Sequence, residues 1–441
     1  MSRKVFISFL GTNNYLQTHY ELNGDLSSPV RFIQQALIQS LCKEWTENDC
    51  VMIFYTGGDN GSYKKNWLDN GQTFFNENEE VESIGLYTTL KNMDIPMAIE
   101  GYEISEGFSE EDIWSIFDCV YDKLQENDEI YFDVTHAFRS IPLFSTVLFN
   151  YARFMKQARL VSIHYGAFEK LGSVRAVLQL PLEQRIAPVV DLTSLVELQN
   201  TNVAASNFVE FGDVGTIASQ LDTDVLPDSK KQRSAYMAIQ CLKSELTKLN
   251  DYIQTCRMGD IREGKYMKQI LAQFNTAMRA EHLQMSERLL LRKIKEHLRD
   301  FKTENTDDNI AAAVEWAYRY NMLQQTYTLG QEFVISKVAS LLNERNPFEK
   351  SEKKRFRLYV GGLLGIPEGA EYKDDLAEYP ELTDELLKAD WLVALRSEYD
   401  VLRKNRNALN HAKGGTKNVA TLKNEFRISY DRCLEIIKGE K

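Results

Sequence analysis

Residues 129–140 read EIYFDVTHAFRS. A short run of β-branched and aromatic residues stops at a Thr-His pair. A second apolar pattern, RSIPLFSTVLFNYARFM, starts at once. The first run suits a strand buried on both faces of a parallel sheet, and the second suits a helix returning across it. Working outward, the same grammar recurs in KVFISFLG (4–11), VMIFYTGG (51–58), MDIPMAIEG (93–101) and ARLVSIHYG (158–166). Helical patterns separate these runs. SSPVRFIQQALIQSLC offers a Ser cap, Pro29 in a first turn and a stripe at Ile33, Leu37 and Leu41. SEEDIWSIFDCVYDKL offers Ser109 as cap, acidic residues in the first turn and a stripe Ile113, Ile116, Phe117, Val120, Leu124. Strand and helix alternation predicts an α/β, Rossmann-like N-terminal domain with right-handed crossovers.

Ligands of such sheets sit beyond the carboxyl ends of the strands, near the topological switch point. Those ends carry Thr12, Asn13 and Asn14, then Gly57 and Gly58, then Thr135, His136, Ala137 and Arg139. Small and hydroxyl residues let a backbone approach phosphate, and Arg139 adds positive potential. Taken singly, each end is also a plain turn, His136 a satisfied half-buried histidine and Arg139 a surface charge. Three polar ends in one sheet favour a shared small anionic ligand. Neither G-x-G-x-x-G after the first strand nor G-x-x-x-x-G-K-[ST] occurs, which argues against a nicotinamide cofactor and a P-loop.

The chain has 441 residues, 43% hydrophobic and 26% charged, with a formal charge of -12. That is a soluble composition, long enough for two domains of roughly 150 to 200 residues. The acidic balance argues against a wide DNA-binding surface but leaves room for a local basic pocket. Six scattered cysteines without a C-x-x-C pair suit reduced thiols rather than disulfides or a zinc site, and no catalytic metal or cofactor is expected. The N-terminus lacks a signal-peptide pattern, and no window approaches the ~18 apolar residues of a membrane span. A cytoplasmic protein is expected.

From about residue 190 the strand signal fades into an all-α second half. Residues 344–383 contain Pro347, Gly361, Gly362, Gly365, Pro367 and Gly369 and read as a connecting loop. The expected division is 1–185 for the α/β domain, 186–228 for a helical connector and 229–441 for the helical domain.

Near the C-terminus stands RKNRNALNHAKGG (403–415). Residues 403–417 hold five Lys or Arg and no Asp or Glu. The preceding helix carries apolar residues at Leu392, Leu395, Tyr399 and Leu402, and the series reaches 406 and 409 next. Leu409 continues it; position 406 is arginine. A charge on a packing face costs free energy unless it meets an anion or a partner. Asn407 lies one turn before His411, where it can fix the imidazole tautomer. Histidine as base and arginine as cationic donor suit RNA cleavage without metal, yielding a 2′,3′-cyclic phosphate and a 5′-hydroxyl. One chain supplies one such set, and a two-fold axis would pair two. The plainer reading is that Arg and His complement the helix dipole.

RNALNH resembles the R-x4-6-H signature of HEPN ribonucleases. FDVTHAFRSIP, with ISFLGTNNY, resembles the ligand motifs of CARF domains, the CRISPR-associated Rossmann fold. Their order resembles that of CARF–HEPN ribonuclease effectors of type III CRISPR systems. The resemblance implies a homodimer whose CARF sites bind a cyclic oligoadenylate as allosteric activator, cyclic tetra-adenylate or alternatively cyclic hexa-adenylate. It also implies metal-independent cleavage of single-stranded RNA by Arg406, Asn407 and His411. NMLQQTYTLGQEF resembles the companion HEPN helix, with Gln325 and Glu332 as supporting polar groups. Two rival readings are a non-catalytic nucleotide-responsive regulator and a toxin-like HEPN ribonuclease without ring control.

Overall fold

A computed structural model describes residues 2–71, 73–76, 79–136, 141–212, 230–279, 285–349, 351–411 and 417–440. The chain divides into two compact units, Met1–Glu197 and Leu198–Lys441.

The first unit is built on one eight-stranded sheet. Its strands are β1 (Lys4–Leu10), β2 (His19–Leu22), β3 (Asp25–Leu26), β4 (Cys50–Thr56), β7 (Ala98–Ile104), β8 (Glu129–Asp133), β9 (Arg159–Gly166) and β10 (Ile186–Asp191). A separate hairpin joins β5 (Thr73–Asn76) and β6 (Glu79–Glu82). The order across the large sheet is β3-β2-β10-β9-β8-β1-β4-β7. The five strands from β9 to β7 are mutually parallel, while β10 runs antiparallel to β9. From β1 the chain steps outward to β4 and β7, then crosses back to β8 and β9. The direction of winding therefore reverses between β1 and β8, the kind of switch point beyond whose carboxyl ends such sheets form a ligand crevice.

Alternation along the strands supplies both layers of core. Phe6 and Leu10 of β1 join Val51 and Ile53 of β4 against α1 (Ile33–Leu41) and α2 (Leu86–Lys91). Val5, Ile7 and Phe9 join Cys50, Met52 and Phe54 on the other face, under α3 (Glu110–Lys123) and α4 (Ile141–Lys156). Ser109 caps α3 as expected, in a reciprocal capping box with Asp112. The Ser cap and Pro29 first turn expected for α1 do not form; that helix begins at Ile33 behind Phe32, which is fully buried. Burial of the Phe32 and Ile33 side chains sets the start in place of a polar cap. A short α5 (Val174–Val177) follows β9. β10 belongs to the sheet, although residues 186–228 read as helical connector from sequence. Its register with β9 and β2 draws a short Pro-containing run into a strand.

The second unit is helical, as expected. It holds α6 (Thr193–Phe211), which begins in the first unit, then α7 (Lys230–Gln254), α8 (Met258–Glu263), α9 (Lys265–Met278), α10 (Met285–His297) and α11 (Asp308–Arg319). These are followed by α12 (Leu323–Leu341), α13 (Lys353–Gly365), α14 (Asp374–Glu378), α15 (Pro380–Leu387), α16 (Asp390–Asn410) and α17 (Val419–Gly439). Residues 344–383 are thus not one loop. Phe356, Tyr359, Val360, Leu363 and Leu364 of α13 are buried in the main helical core, and their burial outweighs the poor helix propensity of Gly361 and Gly362. One core cluster unites Tyr327 and Phe333 of α12 with Leu392, Leu395, Tyr399 and Leu402 of α16 and Phe426 and Tyr430 of α17. No helix is long and apolar enough to cross a membrane among the described residues.

Candidate functional site

Two places bring polar groups together. The first is the crevice between β1 and β8. Asp133 ends β8 with no exposure to solvent. Ser8 Oγ donates to its Oδ2 (2.7 Å), and Gln34 Nε2 donates to Ser8 Oγ (3.0 Å). The Thr135 N–H donates to Asp133 Oδ1 (3.0 Å), and Gly166 N–H donates to Thr135 Oγ1 (2.8 Å). Burial pushes the Asp133 carboxyl above its usual range, against the bonds from Thr135 and Ser8. This relay fixes Thr135 and hence the backbone leading to His136.

His136 stacks on Tyr15, with ring centroids 4.3 Å apart. Its Nε2 is buried without a hydrogen-bond partner among the described residues, and burial lowers its pKa to about 4. The Tyr15 hydroxyl, on the other side of the stack, is buried and unpartnered too, and burial pushes its pKa up. Gly11 makes this approach possible: a Cβ there would stand 2.6 Å from Tyr15 Oη and 3.4 Å from His136 Cβ. Buried polar atoms without hydrogen-bond partners cost roughly 1 to 3 kcal/mol each, a cost that polar groups of a bound ligand would offset.

The loop after β1 is held by Asn66, fully buried, whose Nδ2 donates to the carbonyls of Gly11 (2.8 Å) and Asn13 (3.0 Å). Arg31 Nη2 in turn donates to Asn66 Oδ1 (3.2 Å). Thr12, Asn13 and Asn14 stand exposed on that loop. After β4, Thr56 and Ser62 exchange hydrogen bonds and close a tight turn. Gly58 has φ +76°, and a Cβ at Gly57 would collide with the Glu103 carboxylate at 2.0 Å. The turn itself requires glycine at 58, whereas a Cβ at 57 would displace the flexible end of the Glu103 side chain. Ala137 and Arg139 lie outside the described residues. Sequence reasoning missed Tyr15, Asn66 and Asp133. Only Asp133 carried a signal, as a lone carboxylate in a buried strand.

The second place is the end of α16. Its buried stripe does not pass through Arg406. From Leu402 it steps three residues to Asn405, which is 5% exposed, and Arg406 is half-buried beside it. A helix turn of 3.6 residues allows either step, and the packing of α12 and α17 selects Asn405. The acid-free stretch is not acid-free in space. Asp400 pairs with Arg403 (2.5 Å) and Lys404 (2.6 Å), and Glu425 pairs with Lys417 (2.6 Å). Arg406 has no ion-pair partner among the described residues, and its Nε is buried without a hydrogen bond. Its charge reaches Cys256, whose thiol burial raises to about 11, and Tyr399, whose hydroxyl burial raises to about 12.

His411 caps α16, its N–H donating to the Asn407 carbonyl (3.0 Å). The expected side-chain bond between Asn407 and His411 does not form. His411 is exposed, Asn407 half-buried, and neither side chain has a hydrogen-bond partner among the described residues. α12 lies against α16, where Gln331 Nε2 donates to Tyr399 Oη (2.8 Å). Of the supporting groups expected on α12, Gln325 turns to the Gln254 carbonyl and Glu332 is engaged by Arg357. No group of three or more His, Cys, Asp or Glu placed to hold a metal ion occurs among the described residues.

No protein-family model matches the chain. A CRISPR-associated protein of Methanocaldococcus jannaschii is 29% identical over 174 residues, 38% of this chain and 24% of that protein. The chain thus spans about a quarter of that relative's length. The structure of Enterococcus italicus Csm6 bound to cyclic hexa-2′-fluoro-hexa-dAMP aligns over 100% of this chain and 94% of that one. Its TM-score is 0.45 and its identity 11%, a likeness too weak to carry an argument.

Proposed function

We propose that this chain is a ligand-activated, metal-independent endoribonuclease of CRISPR defence, with a CARF-type sensor unit and a HEPN-type helical unit. The observation that carries it is Arg406. It is a guanidinium with a buried, unpartnered Nε, and the neighbouring described cations of its stretch are each paired with a carboxylate. A half-buried cation held without a partner is poised for an anion. His411, exposed and free of described partners, takes the proton from a ribose 2′-hydroxyl. The 2′-oxygen attacks the adjacent phosphorus while Arg406 and Asn407 hold the non-bridging oxygens. The P–O5′ bond breaks and the leaving 5′-oxygen takes up a proton from water, giving a 2′,3′-cyclic phosphate and a 5′-hydroxyl.

The sensor reading rests on the switch-point crevice, with Thr12, Asn13, Asn14, Gly57, Gly58, Thr135 and His136 around it and Ala137 and Arg139 adjoining in sequence. Its expected ligand is a cyclic oligoadenylate, cyclic tetra-adenylate first and the hexa-adenylate as the alternative. The CRISPR-associated relative supports the setting. Homodimerisation is supported by α4. Its inward face buries Leu148, Phe149 and Ala152, yet Val147, Tyr151 and Phe154 on the outward face are 58%, 43% and 84% exposed. Trp114 of α3 is 56% exposed and packs on the buried Phe117, which in turn touches Tyr151. Large apolar side chains left exposed on a helix favour a second surface, and α4 starts just after the strand-end site, so two copies joined there would bring two such sites together.

The test is cleavage of end-labelled single-stranded RNA in EDTA, with and without cyclic tetra-adenylate or cyclic hexa-adenylate. Ring-dependent cleavage that is lost in His411→Ala is expected. Cleavage that needs divalent metal, or persists unchanged in His411→Ala, refutes the reading.

A further inference from the structure

We infer that Asn405, with Lys417 and Glu425, is a positioning residue for the cleavage proposed above, on which this inference rests. Position 405 continues the buried stripe of α16, where leucine would pack without polar cost. It holds instead an asparagine engaged on both its polar atoms. Nδ2 donates to Tyr327 Oη (3.0 Å) and to Glu425 Oε2 (2.7 Å), and Oδ1 accepts from Lys417 Nζ (3.2 Å). Lys417 also donates to Glu425 Oε2 (2.6 Å), and Tyr327 Oη donates to the Leu422 carbonyl (2.8 Å). Every member is partnered: Asn405 and Tyr327 are buried, Glu425 is half-buried and Lys417 is exposed, and a satisfied network with a buried centre favours one arrangement of the elements it joins.

Those elements bracket the reacting group. Asn405 lies six residues before His411 and Lys417 six residues after it. The bond between them ties the chain entering His411 to the chain leaving it, and Tyr327 and Glu425 anchor that tie on α12 and α17. The charge also closes within the network. Lys417, then Asn405, hold the Glu425 carboxyl below its usual range. The clamp thus adds no net charge beside Arg406, whose guanidinium stays the open cation. Nothing in this arrangement presents Asn405 itself to substrate: it is buried, and its polar atoms are used.

Asn405→Leu and Lys417→Met separate the possibilities in the full-length protein. Both are expected to lower kcat about 10- to 100-fold with KM for RNA unchanged, as misplacement of a reacting group does. Amide exchange at Leu409, Asn410 and His411 is expected to speed up about tenfold or more without RNA present, with α12 and α17 unaffected. Combining Asn405→Asp with Glu425→Gln exchanges acid and amide across the network and should restore much of kcat. If Arg406→Ala abolishes cleavage but both clamp variants keep wild-type kcat and exchange, the positioning role is wrong and the nuclease reading stands. A change in KM alone overturns it as well, by making Lys417 a substrate contact. If the wild type cleaves no RNA, the nuclease reading fails by itself, and unchanged exchange would then sink the clamp. Should Asn405→Leu not fold, Lys417→Met decides alone.

Discussion

His136 gives the most direct handle on the strand-end crevice. Its ring is packed on Tyr15 with Nε2 buried, and burial lowers its pKa from 6.5 to about 4. The sign follows from linkage. The unfolded chain takes up a proton below pH 6.5 and the folded chain only below about pH 4. The stability associated with the neutral ring is therefore complete above pH 6.5 and is lost as pH falls to about 4. At about 1.36 kcal/mol per pH unit, that loss is on the order of 3 kcal/mol. The assay is urea unfolding at a series of pH values from about 7 to about 4, comparing the protein with His136→Phe. Phenylalanine keeps the ring stack and removes the titrating nitrogen. The other histidines and carboxylates contribute equally to both proteins and cancel in the difference. The wild type should lose on the order of 3 kcal/mol more than the variant across this window. Parallel curves would refute the claim that this ring is buried and neutral. The same variant, folded at neutral pH, should bind cyclic oligoadenylate more weakly in calorimetry, since it lacks the unpartnered ring nitrogen.

Arg406→Ala and His411→Ala should each lower RNA cleavage by about 100-fold or more while thermal melting stays within a few degrees, because neither side chain supports the core. Gly11→Ala puts a methyl 2.6 Å from Tyr15 Oη. It should cost about 1 to 3 kcal/mol in chemical denaturation and weaken ring binding, since Tyr15 must leave His136. Phe154→Glu, on the exposed face of α4, should convert a dimer to monomers in sedimentation velocity without loss of monomer stability beyond about 0.5 kcal/mol. Leu402→Ala, fully buried in α16, should cost about 2 to 5 kcal/mol in the same unfolding assay.

The centre of the sheet was legible because β1, β4 and β8 are buried along most of their length, so each had to be a continuous apolar run; β7 begins only at Ala98, inside the run read at 93–101, and is largely half-exposed with Glu100 and Glu103 in it. The strands that escaped are those without such a run. β2 and β3 are short pieces at one end of the sheet, and β10 contains Pro188 and gains its conformation from register with β9 and β2. α13 was hidden for the opposite reason: Gly361, Gly362 and Gly365 argue locally for a loop, and only the buried Tyr359, Leu363 and Leu364 argue for a helix. At the end of α16 the sequence yielded the right neighbourhood and the wrong side chain. A period of 3.6 leaves positions 405 and 406 equally eligible for the stripe, and the choice depends on Tyr327 and Glu425, distant in sequence. Charge pairing was illegible for the same reason. Lys417 finds Glu425 only after α17 has turned back, and the partners of Tyr15 and Asn66 come from loops that no local pattern connects.

The outermost strand of the parallel block, β7, has no neighbour on its far side among the described residues. Such a margin is a template on which another polypeptide could add itself, by backbone bonding alone and without limit. Here it carries two carboxylates, Glu100 engaged by the Tyr102 hydroxyl and Glu103 filling the space left by Gly57. Negative charge on this rim makes stacking of like chains end to end unfavourable. Any self-association is thereby steered from open-ended fibres toward closed assemblies made through side-chain surfaces.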